Sequence, residues 1–127
     1  MKKKQRKQVI DYVVSNHDKI IVHPGVCRYN YKCHMNAVHD AISDGDDSLA
    51  MCIYIDDGYP VIHFINIHDG EYVDNTLGQW SSRYEYYLVK KISSDEFFEI
   101  ESIFVKYRNY LKTIPDWWLR IFGTYIC

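Results

Sequence analysis

Proline and glycine are scarce in this 127-residue chain, at three and six residues. That scarcity excludes a collagen-like repeat and a Pro/Gly-rich linker, and no internal repeat or low-complexity segment is present. Long hydrophobic runs are missing too. Nowhere do about 18 apolar residues stand together, as a membrane-spanning helix requires. The basic start at Lys2, Lys3 and Lys4 is followed by Gln5, Arg6, Lys7 and Gln8 instead of the apolar stretch of a secretory signal. The expected setting is soluble and cytoplasmic. A dominant charge of one sign is also lacking. Fifteen Lys and Arg against 17 Asp and Glu leave a net charge of −2, which gives no pull toward nucleic acid or an anionic membrane. The N-terminal basic run reads as the solvated start of a helix, with a docking patch as the alternative.

What the chain does have is apolar and aromatic: 47% hydrophobic residues, 16% aromatic, twelve of them tyrosine. That excludes a disordered chain and predicts one domain over residues 1–127 with a ring-rich core or cleft. Four cysteines, at 27, 33, 52 and 127, are irregularly spaced. In a cytoplasmic protein they are expected to be reduced, so each poses a question of burial or reactivity. Cys127, the last residue given, is not expected to open a prenylation box.

Apolar residues at 9, 10, 13 and 14 share one helical face, predicting a surface helix over about 4–16. A short apolar run at 19–23 stops at Pro24-Gly25. A second helix then follows Arg28 and Tyr29, with Asn30 as its expected N-cap, Cys33 at its third position, and Asp44-Gly45 at its end. Segments 49–56, 59–67 and 71–76 read as strands, separated by Asp57-Gly58 and Asp69-Gly70, the strongest short hairpin signal. A Tyr- and Val-rich strand over about 84–92 extends the expected antiparallel sheet. Ser93 and Glu96 form a capping-box pattern before a helical stripe at Phe97, Ile100, Phe104, Tyr107 and Leu111.

Three of these residues suggest chemistry. A cysteine in the first turn of a helix is biased toward thiolate and has free backbone amides beside it. Cys33 has that placement as the candidate nucleophile. A thiolate needs an imidazole to share its proton, and the imidazole needs a group to orient it. If Asp69-Gly70 is a two-residue turn, His68 faces Glu71 and Ile65 faces Asp74, so His63 and Asp74 share a sheet face as diagonal neighbours about 7 to 8 Å apart at the backbone. The same logic at Asp57-Gly58 puts Cys52 directly across from His63, in a buried strand where a thiol is expected to be inert. Cys27 reads as a loop or packing residue able to approach the site. A zinc site from Cys27, Cys33 or His34 with His63 and His68 fits no recognised spacing, and no metal or cofactor is expected. The aromatic stretch around Trp117 and Trp118 reads as a helix closing the core, or as a surface for a partner protein or oligomer.

The strings Lys32-Cys33-His34-Met35-Asn36-Ala37, Ile62-His63-Phe64-Ile65-Asn66 and Gly70-Glu71-Tyr72-Val73-Asp74-Asn75-Thr76 together resemble the catalytic core of papain-like folds of the transglutaminase and arylamine acetyltransferase branch. They are also similar to small phage and plasmid proteins with a Cys-His-x-Asn box. The resemblance covers about residues 29–78. It implies an α+β fold with the Cys helix packed on an antiparallel sheet and terminal helices outside. It also implies thioester chemistry on a protein, peptide or small acyl substrate, with Cys33 as nucleophile, His63 as base and acid, and Asp74 orienting it. The Cys33 amide and a donor from residues 28–31 would form the oxyanion hole, with Tyr29, Asn30, His34 and Asn36 around the substrate. Transglutaminase-like enzymes usually carry Trp after the nucleophile, where this chain has His34, and the upstream Gln of papain-like peptidases has no counterpart. The alternative expectation is an inactive papain-like scaffold that binds or inhibits a partner protein.

Overall fold

A computed structural model describes residues 2–114; Trp117, Trp118 and Cys127 lie outside the described residues. Helix α1 spans Lys3–Asn16 and buries Val9 and Val13 of the four residues on the expected face, leaving Ile10 half-buried and Val14 exposed. The chain then makes two three-residue strands, β1 (Asp18–Ile20) and β2 (Val22–Pro24), separated only by Ile21. Helix α2 (Cys33–Asp44) leads into strands β3 (Ser48–Asp56), β4 (Tyr59–His68) and β5 (Glu71–Asp74). A 3-10 segment (Gly78–Arg83), strand β6 (Tyr86–Ser93), a second 3-10 segment (Ser94–Glu99) and helix α3 (Ile100–Leu111) complete it. The class is α+β. Among the described residues no helix is long and apolar enough to cross a membrane.

Both Asp-Gly turns form, with Asp57 and Asp69 and the glycines after them at positive φ. They set the pairings Asp56 with Tyr59 and His68 with Glu71, and Cys52 stands directly opposite His63. The sheet order is β1-β6-β3-β4-β5-β2. The short run at 19–23 therefore occupies both edges: β1 pairs antiparallel with β6, and β2 pairs parallel with β5. This corrects the expectation of a wholly antiparallel sheet. Ile20 and Val22 are two residues apart, so their Cα atoms are within about 7 Å, whereas a flat six-stranded sheet would hold its edges about 24 Å apart. The sheet must curl until its edges nearly meet.

The curl gives the sheet two unlike faces. Leu49, Met51, Ile53, Ile62 and Phe64 look outward and pack with residues of all three helices. Ala50, Cys52, Tyr54, Ile65 and Tyr86 look inward, joined by side chains from the edge strands such as Ile20, Val22 and Tyr72. Strict alternation would place Tyr87 and Ile92 on opposite faces. A register shift at Met51/Cys52, where Lys90 and Leu88 are successive partners, inserts one extra residue into β6 and turns both toward the helices.

Helix α2 begins later than expected. Its N-cap is Lys32, not Asn30, and Cys33 is its first residue, because Tyr31 takes a positive φ of 53° that no helix accommodates. Gly45 ends it in the left-handed conformation. The Ser93–Glu96 capping box is present, but a 3-10 turn precedes the regular helix α3.

Candidate functional site

His63 points into the curl from the centre of β4, and Asp74 reaches it from the end of β5. The His63 Nε2 to Asp74 Oδ2 distance is 2.8 Å, and both side chains are fully buried. Tyr86 donates its hydroxyl to the same oxygen at 2.6 Å, while the backbone N–H groups of Thr76 and Leu77 donate to Oδ1 at 2.9 Å each. Burial by itself pushes the Asp74 carboxyl up. The hydrogen bond and charge of His63, with the Tyr86 hydroxyl and the Leu77 amide, outweigh burial and hold it below the ordinary carboxylate range. An ionised carboxylate only accepts, so Nε2 of His63 carries the proton. Nδ1 is buried and has no hydrogen-bond partner among the described residues.

The nucleophile expected for this pair is elsewhere. Cys33 is fully buried in the apolar cluster of Ile62 and Phe64, the outward-facing neighbours of His63, so the sheet itself separates Cys33 from His63. Its sulfur is disulfide-bonded, against the expectation of a reduced thiol. His34 follows it to the same side, edge-on to Phe64 with ring centroids 6.3 Å apart and Nε2 3.5 Å from Glu101. The triad of Cys33, His63 and Asp74 is therefore corrected to a pair. The cause is the side of the sheet on which α2 packs, which alternation along β4 does not reveal.

Cys52 is the thiol beside His63, but it is fully buried and donates to the His63 backbone carbonyl at 3.4 Å. Burial, and then the Asp74 charge, push its thiol well above the ordinary range, which leaves it a poor nucleophile.

Three of the four residues expected around a substrate do gather near the pair. Asn30 and Asn36 exchange side-chain hydrogen bonds at 3.1 and 3.0 Å, and Asn36 Nδ2 also donates to Thr76 Oγ1 at 2.9 Å. This ties the start of α2 to the turn that caps Asp74. Tyr29 stands over a cleft of about 180 Å³ whose walls include Tyr31, Tyr54, Leu77, Trp80 and the free, half-buried Cys27. Tyr54 joins cleft to pair: it lines the cleft, and its ring stands edge-on to His63 at 5.2 Å. Thr76 and Leu77 likewise wall the cleft while their amides hold Asp74.

The loop carrying Tyr29 and Tyr31 is fastened from beneath. Arg28 grips Asp40 with two bonds of 2.6 and 3.0 Å and donates to the Asn75 carbonyl at 2.9 Å. Burial pushes the Asp40 carboxyl up, but the Arg28 bonds outweigh it and hold the carboxyl low. Cys27 pairs with Leu77 in an isolated bridge so close that a Cβ on Gly78 would fall 2.8 Å from the Cys27 Cβ.

Tyr54, Tyr86 and Trp80 were not anticipated. The register alone places Tyr54 on the face of His63, since it is two residues from Cys52 on the same strand. Tyr86 sits opposite Tyr54, but the bulge in β6 hides that parity. Away from the cleft, Asp44, Asp46 and His68 bring ligand-type atoms within 4.8 Å of one another. Two of the three, His68 and Asp46, are joined by a hydrogen bond of 3.0 Å between Nδ1 and Oδ1. The hydrogen bond to Asp46 raises the imidazole pKa. No protein-family model, curated protein or solved structure matches this chain.

Proposed function

We propose that this chain is a partner-binding domain on a papain-like scaffold that has lost its nucleophile, with the aromatic cleft as its recognition surface. The observation that carries this reading is the loop at 29–31. Tyr29 and Tyr31 are 81% and 82% exposed on a segment whose Arg28 and Asn30 are tied to helix α2 by part-buried side-chain hydrogen bonds. Large rings held out in water on a fastened loop are what protein interfaces use as anchors. A catalytic ancestry accounts for the chain order Cys33, His63, Asp74 and for a His–Asp pair that now braces the cleft from behind.

The test is photo-crosslinking in extract of the source cell, with benzoyl-phenylalanine at position 29 or 31. Expected is one discrete adduct per position, competed away by unlabelled parent protein, with the captured partner chemically unchanged. Adducts that resist competition, or a partner cleaved or acylated on capture, would remove this reading.

A second reading keeps acyl transfer but moves the nucleophile to Cys27, because that thiol is free and lines the cleft behind which His63 holds a bare nitrogen. The Cys27 thiol would pass its proton to Nδ1 as sulfur attacks a carbonyl carbon, and His63 would return that proton to the departing amine or alkoxide. Tyr54 stands edge-on to His63 and would have to swing aside first. Iodoacetamide labelling decides it. A Cys27 that labels fast below about pH 7 and slows on His63→Ala supports the thiol enzyme; ordinary titration near 8.5 sinks it.

A further inference from the structure

We propose that the cleft recognises a cation, and specifically the guanidinium of an arginine on the partner protein. This rests on the cleft being the recognition surface and names what that surface takes. Four aromatic side chains, Tyr29, Tyr31, Tyr54 and Trp80, converge on one opening of about 180 Å³. That is below the roughly 300–1,000 Å³ of sites that enclose a whole drug-sized ligand, and suits a single head group. Ring faces carry negative potential and attract cations most strongly where water is excluded.

The charges around the cleft agree. Among the described residues the one cation in its wall, Arg28, is committed to Asp40 by two hydrogen bonds, so it offers no free positive charge to an anion. Behind the wall lies the Asp74 carboxylate, held ionised and out of water by Thr76 and Leu77, which themselves face the cleft. Asp56 lies two residues beyond Tyr54 along β3, on the same face of the strand. A cation entering the cleft meets negative potential from the rings and from these carboxylates. An anion meets the reverse.

One ring of the wall, Trp80, already carries a cation of this kind. The guanidinium of Arg83 lies 4.2 Å from the Trp80 ring centroid, and Arg83 is not part of the cleft wall. Arg6 covers Tyr59 in the same way at 4.0 Å. Guanidinium is planar and more weakly hydrated than ammonium, so it stacks on a ring at a smaller desolvation cost.

Ethylguanidinium and its uncharged isostere N-ethylurea test this directly, titrated at matched ionic strength into the parent protein and followed by the aromatic side-chain resonances. Ethylguanidinium is expected to shift the Tyr54 and Trp80 signals and to bind at least about fivefold tighter than N-ethylurea. A Tyr29→Ala, Tyr31→Ala double variant should lose most of that binding. Both rings are more than four-fifths exposed, so the variant keeps the fold, which circular dichroism checks. Equal binding of the two probes, no binding by either, or full binding by the double variant would each overturn the proposal. Competed crosslinking at 29 and 31 together with failed ethylguanidinium binding would leave the recognition surface standing and remove only its cationic ligand.

Discussion

His63 Nε2 and Asp74 Oδ2 are 2.8 Å apart inside the curled sheet, with both side chains wholly out of water. Four donors converge on that carboxylate: the His63 ring, the Tyr86 hydroxyl and two backbone amides. A buried pair of this kind costs more to break than it contributes when intact, because the survivor is left without its partner. Asp74→Asn should therefore lower unfolding free energy by about 3–5 kcal/mol. Tyr86→Phe, which removes one hydrogen bond to a charged acceptor, should cost about 1.5–3 kcal/mol. Urea unfolding measures both, and a Tyr86→Phe midpoint equal to that of the parent would show that the bond contributes nothing.

Acid should weaken the fold through the same groups. The Asp74 and Asp40 carboxyls are both held below their ordinary values, so the unfolded chain takes up their protons first as the pH falls. Their contribution is complete above the ordinary carboxylate pKa of about 4 and disappears as the pH drops through the lower folded values. The urea midpoint should change little between about pH 7 and 5 from this source and fall steeply below about 4. Asp40→Asn removes one of the two groups and should make that fall shallower; an unchanged slope would show that Asp40 titrates alike in folded and unfolded chains.

The two free cysteines among the described residues should label in a fixed order. Cys27 is half-buried beside the cleft, while Cys52 is sealed in the sheet with its thiol pushed up by burial. In native protein at pH 8, iodoacetamide should modify Cys27 readily and reach Cys52 only on unfolding. Peptide mass spectrometry distinguishes them, and comparable native rates would mean that the β3–β4 pair opens locally.

Gly25 should tolerate no side chain. A Cβ there would come within 2.1 Å of Asn75 Oδ1 and 2.7 Å of Val73 Cγ1, at the point where the Gly25 amide donates to the Asp74 carbonyl. Gly25→Ala must push β2 away from β5, at an expected cost of about 1–3 kcal/mol. Because Asn75 also holds Val26 at the root of the loop that carries Tyr29, the variant should weaken crosslinking from position 29 as well. Thermal unfolding and that crosslink yield measure the two effects; parent-like values in both would remove the prediction.

Local chemistry made much of the frame legible. Asp57-Gly58 and Asp69-Gly70 are two-residue turns, a two-residue turn sets register, and register placed Cys52 opposite His63 and His63 on the face of Asp74. Val9 and Val13 needed only helical spacing to be assigned inward. The start of α2 was harder to read, because a positive φ at Tyr31 moved the cap from Asn30 to Lys32, and Tyr carries no marked preference for that conformation. The strands around Ile21 are three residues each, too short for any periodicity to show, and the extra residue in β6 hides from alternation the parity that brings Tyr86 to Asp74.

The sequence by itself determined the hairpins, their register and the meeting of His63 with Asp74, because each follows from contacts between residues close along the chain. Only the tertiary structure decided which face of the sheet α2 covers, and therefore that Cys33 and His63 are held apart. Amphipathic spacing tells a helix which of its own sides to bury. The curl of the sheet, closed by β1 and β2 at its two edges, decides which face is left for that helix to bury it against.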